Sequence, residues 1–340
     1  MKTRAPRPLS ARDFWSASRG FSLVWLAHLG RRHGLLRALA DSPGPKTPEA
    51  IARRARKDRG AVVLWCEAAE ALGLLRGSGG RYSLPRGVAA LLLREDRPEY
   101  LGGHLDYLAL RSLDYDAFDE FFADGRPSAR RPKHLLEAFG EATKWDHTAF
   151  LEVLLPAVPA LRRALQNGAA VLDVGAGAGA WDFRVARAFP RSRFVGVEPD
   201  RTALRLARSE ALRLGLDGRV RFEPLSAERM RFADRFDLVF LGEVLCNAPD
   251  SRGVLERCRK ALRPGGYLVV AEGLVDRGAP TQDLGNALVL AMRLEFAIQP
   301  AELLEKKQLS SMARAAGFPR QRLLPAGGGF WFLVSQRPLH

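Results

Sequence analysis

Three glycines at alternate positions, Gly175, Gly177 and Gly179, follow directly on an apolar run that closes on Asp173 in the stretch AAVLDVGAGAGAWD. Glycine belongs where a backbone turns sharply and a ligand must approach it closely. An apolar strand leading into such a loop and then into a helix exposes helix N-terminal N–H groups to that ligand. The second chemically pointed residue is Glu198, 19 positions beyond Gly179 and closing the apolar run RFVGVE. A carboxylate there can accept hydrogen bonds from both hydroxyls of a ribose. Pro199 and Asp200 follow, placed to flank an adenine. Ser226, Ala227 and Glu228, in EPLSAE, stand at the next run of this kind, within reach of the adenine edge.

Two ligands compete for this arrangement. Gly175, Gly177 and Ala180 satisfy the degenerate dinucleotide fingerprint, which would set a pyrophosphate on the loop. Asp173 separates the readings. A carboxylate beside the loop repels a pyrophosphate and suits a ligand carrying an ammonium group. S-adenosylmethionine (SAM) carries an ammonium and a sulfonium and no phosphate. Glu198 fits either ligand.

The elements that must hold these residues are legible in the hydrophobic pattern. From residue 170, short apolar runs alternate with helical stretches: AAVLDV, a helix to Phe189, RFVGVE, a helix over 201–214, VRFEPL, FDLVFL, a helix over 251–262, and GYLVVAE. Near-continuous apolar strands alternating with helices predict a parallel sheet covered on both faces. FPRQRLLPA and FWFLVSQRP supply two strands to finish it.

The first third is different. Helical spacing runs over 20–40, and Thr47 before Pro48 marks the N-cap of a short helix, 48–55. A third helix runs from Asp58 to Leu72, where Gly73 stops it, and GLLRGSGGRYSLP predicts a Gly-rich hairpin. Helix, short helix, helix and two-stranded wing is the winged helix-turn-helix pattern. The third helix is a poor base reader, because Arg59 is its single basic residue and Val62, Val63, Trp65, Ala68, Ala69 and Leu72 suit burial. A packing or dimerisation module is the better expectation. Between the two regions, residues 87–165 predict further helices dense in aromatics, with Trp145, His147 and Phe150 near their end.

The 340 residues carry a formal charge of +15, split as +7 over residues 1–150 and +8 over 151–340. An even spread without a basic tail argues against a nucleic-acid surface. Three cysteines cannot make a disulfide framework, and their spacing fits no zinc motif, so a reducing, cytoplasmic setting and no metal are expected. No run approaches the ~20 apolar residues of a membrane span.

VLDVGAGAG, FVGVEPD, FDLVFLGEVLCNAPD and LRPGGYLVVAE, in that order, resemble the class I SAM-dependent methyltransferases. With the hairpin segment ALGLLRGSGGRYSLP the resemblance narrows to small-molecule O-methyltransferases whose winged N-terminal domain dimerises; it covers about residues 20–335. The resemblance implies an α/β fold: a Rossmann-like seven-stranded sheet, last strand antiparallel, preceded by a mostly helical winged-helix domain. The corresponding boundaries are 1–95 for the dimerisation domain, 96–165 for connecting helices, and 166–340 for the SAM-binding domain. It implies SAM as cofactor, a small aromatic or polyketide-like acceptor and a homodimer. It assigns SAM contacts to Asp173, Gly175, Gly177, Gly179 and Glu198, and adenine contacts to Pro199, Ser226 and Ala227. Many relatives have Asp in place of Ser226.

One departure bears on catalysis. Family O-methyltransferases often carry a Leu-His-Asp-Trp-like run with the histidine as general base, and here Leu245, Cys246 and Asn247 stand instead. His147, Glu243 or Cys246 could receive the proton, Glu243 could instead wall the SAM site, or the acceptor could need only alignment. A thiolate at Cys246 would need a cationic partner that the sequence does not show. A SAM-binding enzyme that does not methylate, and a winged-helix DNA-binding regulator, remain as alternatives. The apolar helix expected over 281–297 offers Asn286, Met292 and Phe296 to the acceptor pocket.

Overall fold

The computed structural model describes residues 8–41, 43–128, 133–280, 283–299 and 301–339. They form two compact units: 8–119 with 133–148, and 120–128 with 149–339. Each is taken by itself.

In the first unit the helices Ala11–Arg32, Leu35–Ala40, Pro48–Ala55 and Arg59–Ala71 lead into a hairpin of β1 (Arg76–Ser78) and β2 (Arg81–Ser83). The expected single helix over 20–40 is instead two. It starts nine residues earlier, at Ala11, and breaks at Gly34, whose left-handed backbone (φ 73°) cannot continue a helix. The next two helices begin as their caps dictate: Thr47 Oγ1 accepts the Ala50 N–H at 3.3 Å, and Asp58 Oδ1 the Ala61 N–H at 2.8 Å. In the Arg59–Ala71 helix Val62, Trp65 and Ala69 are buried as expected, and Cys66 with them. Ala68 is exposed, and Val63 and Leu72 only half-buried, because they lie off the face that meets Ile51, Leu36 and Ala27.

The second unit is the α/β unit. Its strands are β3 (Ala170–Val174), β4 (Arg193–Val197), β5 (Val220–Glu223), β6 (Phe236–Gly242), β7 (Leu262–Gly273), β8 (Gln321–Gly327) and β9 (Phe330–Gln336). Their order in the sheet is β5-β4-β3-β6-β7-β9-β8. β3 to β7 pair in parallel, and β9 runs antiparallel to both neighbours. The seven-stranded sheet with its last strand reversed matches the expectation. β3 lies centrally, with its successors β4 and β5 on one side and β6 and β7 on the other. The order therefore reverses beside β3, which in open α/β sheets is where ligands bind, outside the carboxyl ends of the strands.

The core explains why these strands stay apolar. Val171, Leu172 and Val174 of β3 and Leu238, Val239 and Leu241 of β6 are fully buried. Trp181, on the helix Ala180–Ala188, stacks on Phe240 at 4.0 Å with the rings 2° from parallel. Phe150 packs edge-on against both rings. It sits in a short π-helical turn, Phe150–Leu154. The helix expected over 281–297 runs from Leu284 to Ala297 with Asp283 as its cap, and residues 281 and 282 lie outside the described residues.

Candidate functional site

At the end of β3 the chain leaves the sheet through Gly175, Ala176, Gly177, Ala178 and Gly179, and the three glycines have φ of 76°, 54° and 79°. These left-handed values let the loop fold down upon β4, where the Gly175 and Ala176 N–H groups both donate to the Val197 carbonyl, at 2.9 and 3.1 Å. Gly196 of β4 completes the approach. A Cβ there would lie 2.7 Å from the Ala176 Cβ and 2.6 Å from the Phe222 ring. On the other side, a Cβ on Gly175 would strike Val244 Cγ2 at 2.7 Å, so the loop also abuts the segment that follows β6.

Glu198, directly after β4, is half-buried and faces this loop. Its Oε2 accepts the Gly177 N–H at 2.9 Å and its Oε1 the Asp200 N–H at 2.8 Å. A carboxylate held at both oxygens by backbone donors is fixed at a strand tip for polar recognition. Pro199 beside it is exposed. Asp200 acts as a helix cap, accepting the Thr202 and Ala203 N–H groups at 2.8 and 2.7 Å. Ser226 and Ala227 are half-buried three and four residues beyond β5, where Ala227 opens a single 3-10 turn.

Asp173 behaves differently from Glu198. It is only 4% exposed, and burial pushes its carboxyl up to about 7, a bond to Asp182 partly opposing this and the Glu198 charge adding to it. Asp182, in the first turn of the helix after the loop, is wholly buried, and neither of its carboxyl oxygens receives a hydrogen bond from an N–H or O–H among the described residues. Burial, then the Asp173 charge, raise it well above the usual carboxylate range.

A second pair of carboxylates stands at the ends of β6 and β7. Glu243 is half-buried and adopts a left-handed backbone (φ 55°), a strained conformation for a residue with a Cβ. Its N–H donates to the Ala271 carbonyl at 2.9 Å, and its Oε1 accepts the Gly273 N–H at 3.2 Å. Glu272 is fully buried; Oε1 accepts the Leu245 N–H at 2.7 Å while Oε2 has no donor among the described residues. Burial and then the Glu243 charge push Glu272 up to about 8, and burial raises Glu243 against the pull of the Gly273 N–H. Cys246 is buried within the 3-10 turn Leu245–Asn247, beside these groups. Its thiol donates to the Glu243 carbonyl at 3.4 Å and accepts from Asn247 Nδ2 at 3.2 Å. Burial and the Glu272 and Glu243 carboxylates raise the thiol far above its ordinary value, so a thiolate at Cys246 is opposed by its surroundings.

The sheet thus brings Ser226, Ala227, Glu198, Pro199, the glycine loop, Asp173, Glu243 and Cys246 to the carboxyl ends of four contiguous parallel strands. His147 is buried in the helix Lys133–Ala149, within the first unit. Asn286 Oδ1 accepts the Asp276 N–H at 2.8 Å and ties its helix to the segment after β7; Met292 is half-buried and Phe296 buried on that helix. Sequence reasoning missed Asp182, Gly196 and Glu272. Glu272 carried a usable signal, since it ends an apolar strand as Glu198 follows one. Asp182 carried another, a carboxylate on the helix face shared by Val185 and Ala186.

Residues 165–317 match a family model described as a methyltransferase domain. Among curated proteins, the acetylserotonin O-methyltransferase of Rattus norvegicus is 28% identical over 326 residues, 86% of this chain and 70% of that protein. The ubiquinone biosynthesis O-methyltransferase of Chromobacterium violaceum is 31% identical over 172 residues, 49% of this chain and 71% of that protein. Among solved structures, human N-acetylserotonin methyltransferase in complex with SAM superposes with a TM-score of 0.72 at 18% identity, covering 98% of this chain and 99% of that one, a likeness of fold.

Proposed function

The chain belongs to the class I SAM-dependent methyltransferases, with SAM as its cofactor, and from that premise we propose that it methylates a hydroxyl group of a small, aromatic or polyketide-like molecule. The observation that carries the reading is the row of groups along the strand ends: loop glycines in left-handed geometry, Glu198 facing the loop, and Asp173 buried beside it. Asp173 and Glu198 both repel a pyrophosphate and suit the ammonium and ribose of SAM.

In this reading Gly175, Gly177 and Gly179 supply close backbone approach, Glu198 takes the ribose hydroxyls, Asp173 takes the ammonium, and Pro199, Ser226 and Ala227 flank the adenine. SAM supplies a methyl group activated on a sulfonium. The chain aligns the acceptor oxygen and excludes water from it. The proton leaving the acceptor hydroxyl goes to a carboxylate oxygen of Glu243, which is half-buried and backbone-strained, and whose carboxyl burial raises toward the range of a proton acceptor. Glu272, fully buried behind it, holds the loop by the Leu245 N–H. His147 is not needed by this scheme.

The protein is proposed to act in the cytoplasm as a homodimer formed by its N-terminal unit. The exposed Phe14, Trp15 and Phe21 on the helix Ala11–Arg32 support the dimer. No described helix is long and apolar enough to cross a membrane.

Calorimetry with SAM tests the reading. Glu198→Ala is expected to weaken binding by on the order of tenfold or more, the worth of a charge-assisted hydrogen-bonded pair. No binding at millimolar SAM, or an affinity untouched by Glu198→Ala, overturns it. Label transferred from methyl-labelled SAM to a hydroxyl-bearing extract component identifies the acceptor.

A further inference from the structure

The α/β unit carries a second concavity that the scheme above does not use. Its volume is about 380 Å³, and its wall holds five cations, Arg231, Arg257, Arg259, Lys260 and Arg337, against one acid, Asp234. That volume falls within the range of small-molecule sites. The cations come from three stretches that only the fold brings together: the approach to β6, the last turns of the helix Ser251–Ala261, and the exit of β9. Backbone bonds lock the stretches in place. The Asp234 and Arg235 N–H groups donate to the Lys260 and Ala261 carbonyls, both at 2.9 Å, and the Arg337 N–H donates to the Gly266 carbonyl at 2.9 Å. The cavity lies at the amino end of β6. The length of that strand, at ~3.3 Å per residue, sets it roughly 20 Å from the groups at the carboxyl ends.

Two ordinary uses of basic side chains do not account for the set. The first is pairing with acids. The acids on the same stretches are engaged: Asp234 by Arg337, Asp237 by Arg263 at 2.8 Å, and Glu256 by Arg252 at 3.0 Å. Among the described residues Arg231, Arg257, Arg259 and Lys260 form no ion pair. The second use is to offset the dipole at a helix C-terminus. Arg337 already does this, since its Nη1 donates to the Arg259 and Lys260 carbonyls at 3.3 and 3.4 Å and to the Leu262 carbonyl. Arg257 and Arg259 are half-buried, and cations gathered in a partly dry cavity repel one another unless an anion sits among them. The buried Met230 and half-buried Phe232 complete the wall, and the apolar surface they add strengthens the field.

We propose that this cavity binds a small polyphosphate anion, a chain of two or more linked phosphates, free or carried on a nucleoside. Four of its five cations are wholly uncommitted to acids, and three of those are arginines, whose planar fork meets phosphate oxygens two at a time. A concave wall suits a compact anion better than a duplex backbone, which needs a long basic stripe. The proposal stands apart from the methyl-transfer reading, because no residue of the cavity takes part in the SAM scheme.

The test is calorimetry of the full chain with sodium tripolyphosphate, which has no adenosine to draw it to the SAM site. One ion is expected to bind per chain. Arg231→Glu and Lys260→Glu, both at exposed positions, are each expected to weaken binding by about tenfold or more. Arg205→Glu, the same charge reversal on the helix Arg201–Arg213 and outside the cavity, is expected to change affinity by less than about twofold. Titration of ATP with SAM saturating separates the two sources. An affinity no higher than that of tripolyphosphate identifies the phosphate chain alone as the ligand, and a higher one identifies a nucleotide. Absence of saturable tripolyphosphate binding up to about 1 mM overturns the proposal. So does an Arg205→Glu loss as large as that of Arg231→Glu, which would mark a mere response to net charge. Tighter binding of a DNA duplex of about 20 base pairs, lost in the same variants, overturns it in favour of a nucleic-acid face. Should one cavity variant fail to fold, the other still decides, and none of these outcomes touches the reading of the SAM site.

Discussion

The Glu272 carboxylate holds the Leu245 N–H at 2.7 Å, so the end of β7 fixes the first residue of the turn that contains Cys246. A carboxylate scaffold therefore surrounds Cys246. Glu243 supplies the half-exposed member of that scaffold and Glu272 the buried one.

Glu243→Gln is expected to lower kcat for methyl transfer to the accepted substrate by about 10²–10⁴, the usual worth of a general base. SAM affinity should stay within about threefold, because the amide can still accept the Gly273 N–H. Cys246→Ser, by contrast, is expected to change kcat by less than about threefold, since a thiol held protonated does no base chemistry. Steady-state kinetics alongside calorimetry separates the two, and a Cys246→Ser loss as large as that of Glu243→Gln would return the role to the cysteine.

Stability should depend on pH through the raised carboxyls. Asp173, at about 7, and Glu272, at about 8, keep protons in the folded chain that the unfolded chain has released by about pH 5. Their contribution to stability is present in full at low pH and is lost as pH rises through the folded values. Thermal melts without SAM are thus expected to show Tm falling between about pH 5 and pH 8 and levelling above that. Glu272→Gln should flatten the upper part of that fall, and a Tm that rises over the range would contradict both assignments.

The loop glycines should respond unequally to alanine. At Gly179 a Cβ would meet the Phe222 ring at 2.5 Å and the Phe183 ring at 2.9 Å, on top of a φ of 79°. Gly179→Ala is expected to destabilise the fold by about 2–4 kcal/mol, from overpacking and backbone strain together. At Gly177 a Cβ meets nothing within 4 Å, so Gly177→Ala should cost only the ~1 kcal/mol of its left-handed backbone. Its added methyl enters the open space above the loop, and SAM affinity is expected to fall more than Tm does. Paired melting and binding curves for the two variants check the contrast.

Much of the α/β unit was legible because its signals are local. Near-continuous apolar strands, the glycine run and a carboxylate after the second strand each follow from a few neighbouring residues, and the structure has each of them where the sequence put it. The helix at residues 48–55 was readable for the same reason, since Thr47 and Pro48 mark its start in sequence. The first helix was misjudged in extent because Ala11 to Gly20 offers little to bury, and the left-handed turn at Gly34 leaves no trace in the apolar spacing.

The amino-acid order by itself determined the strand and helix alternation, the turn at Gly175 to Gly179 and the position of Asp173 and Glu198 at strand ends, because backbone geometry and strand-end position are set within a few residues. The tertiary structure alone decided which carboxylates act on one another. Asp173 meets Asp182 because a helix returns over its own strand, and Glu243 meets Glu272 because β6 and β7, twenty residues apart in the chain, lie side by side in the sheet. Protonation follows from burial and neighbouring charge, and both are properties of the packed molecule.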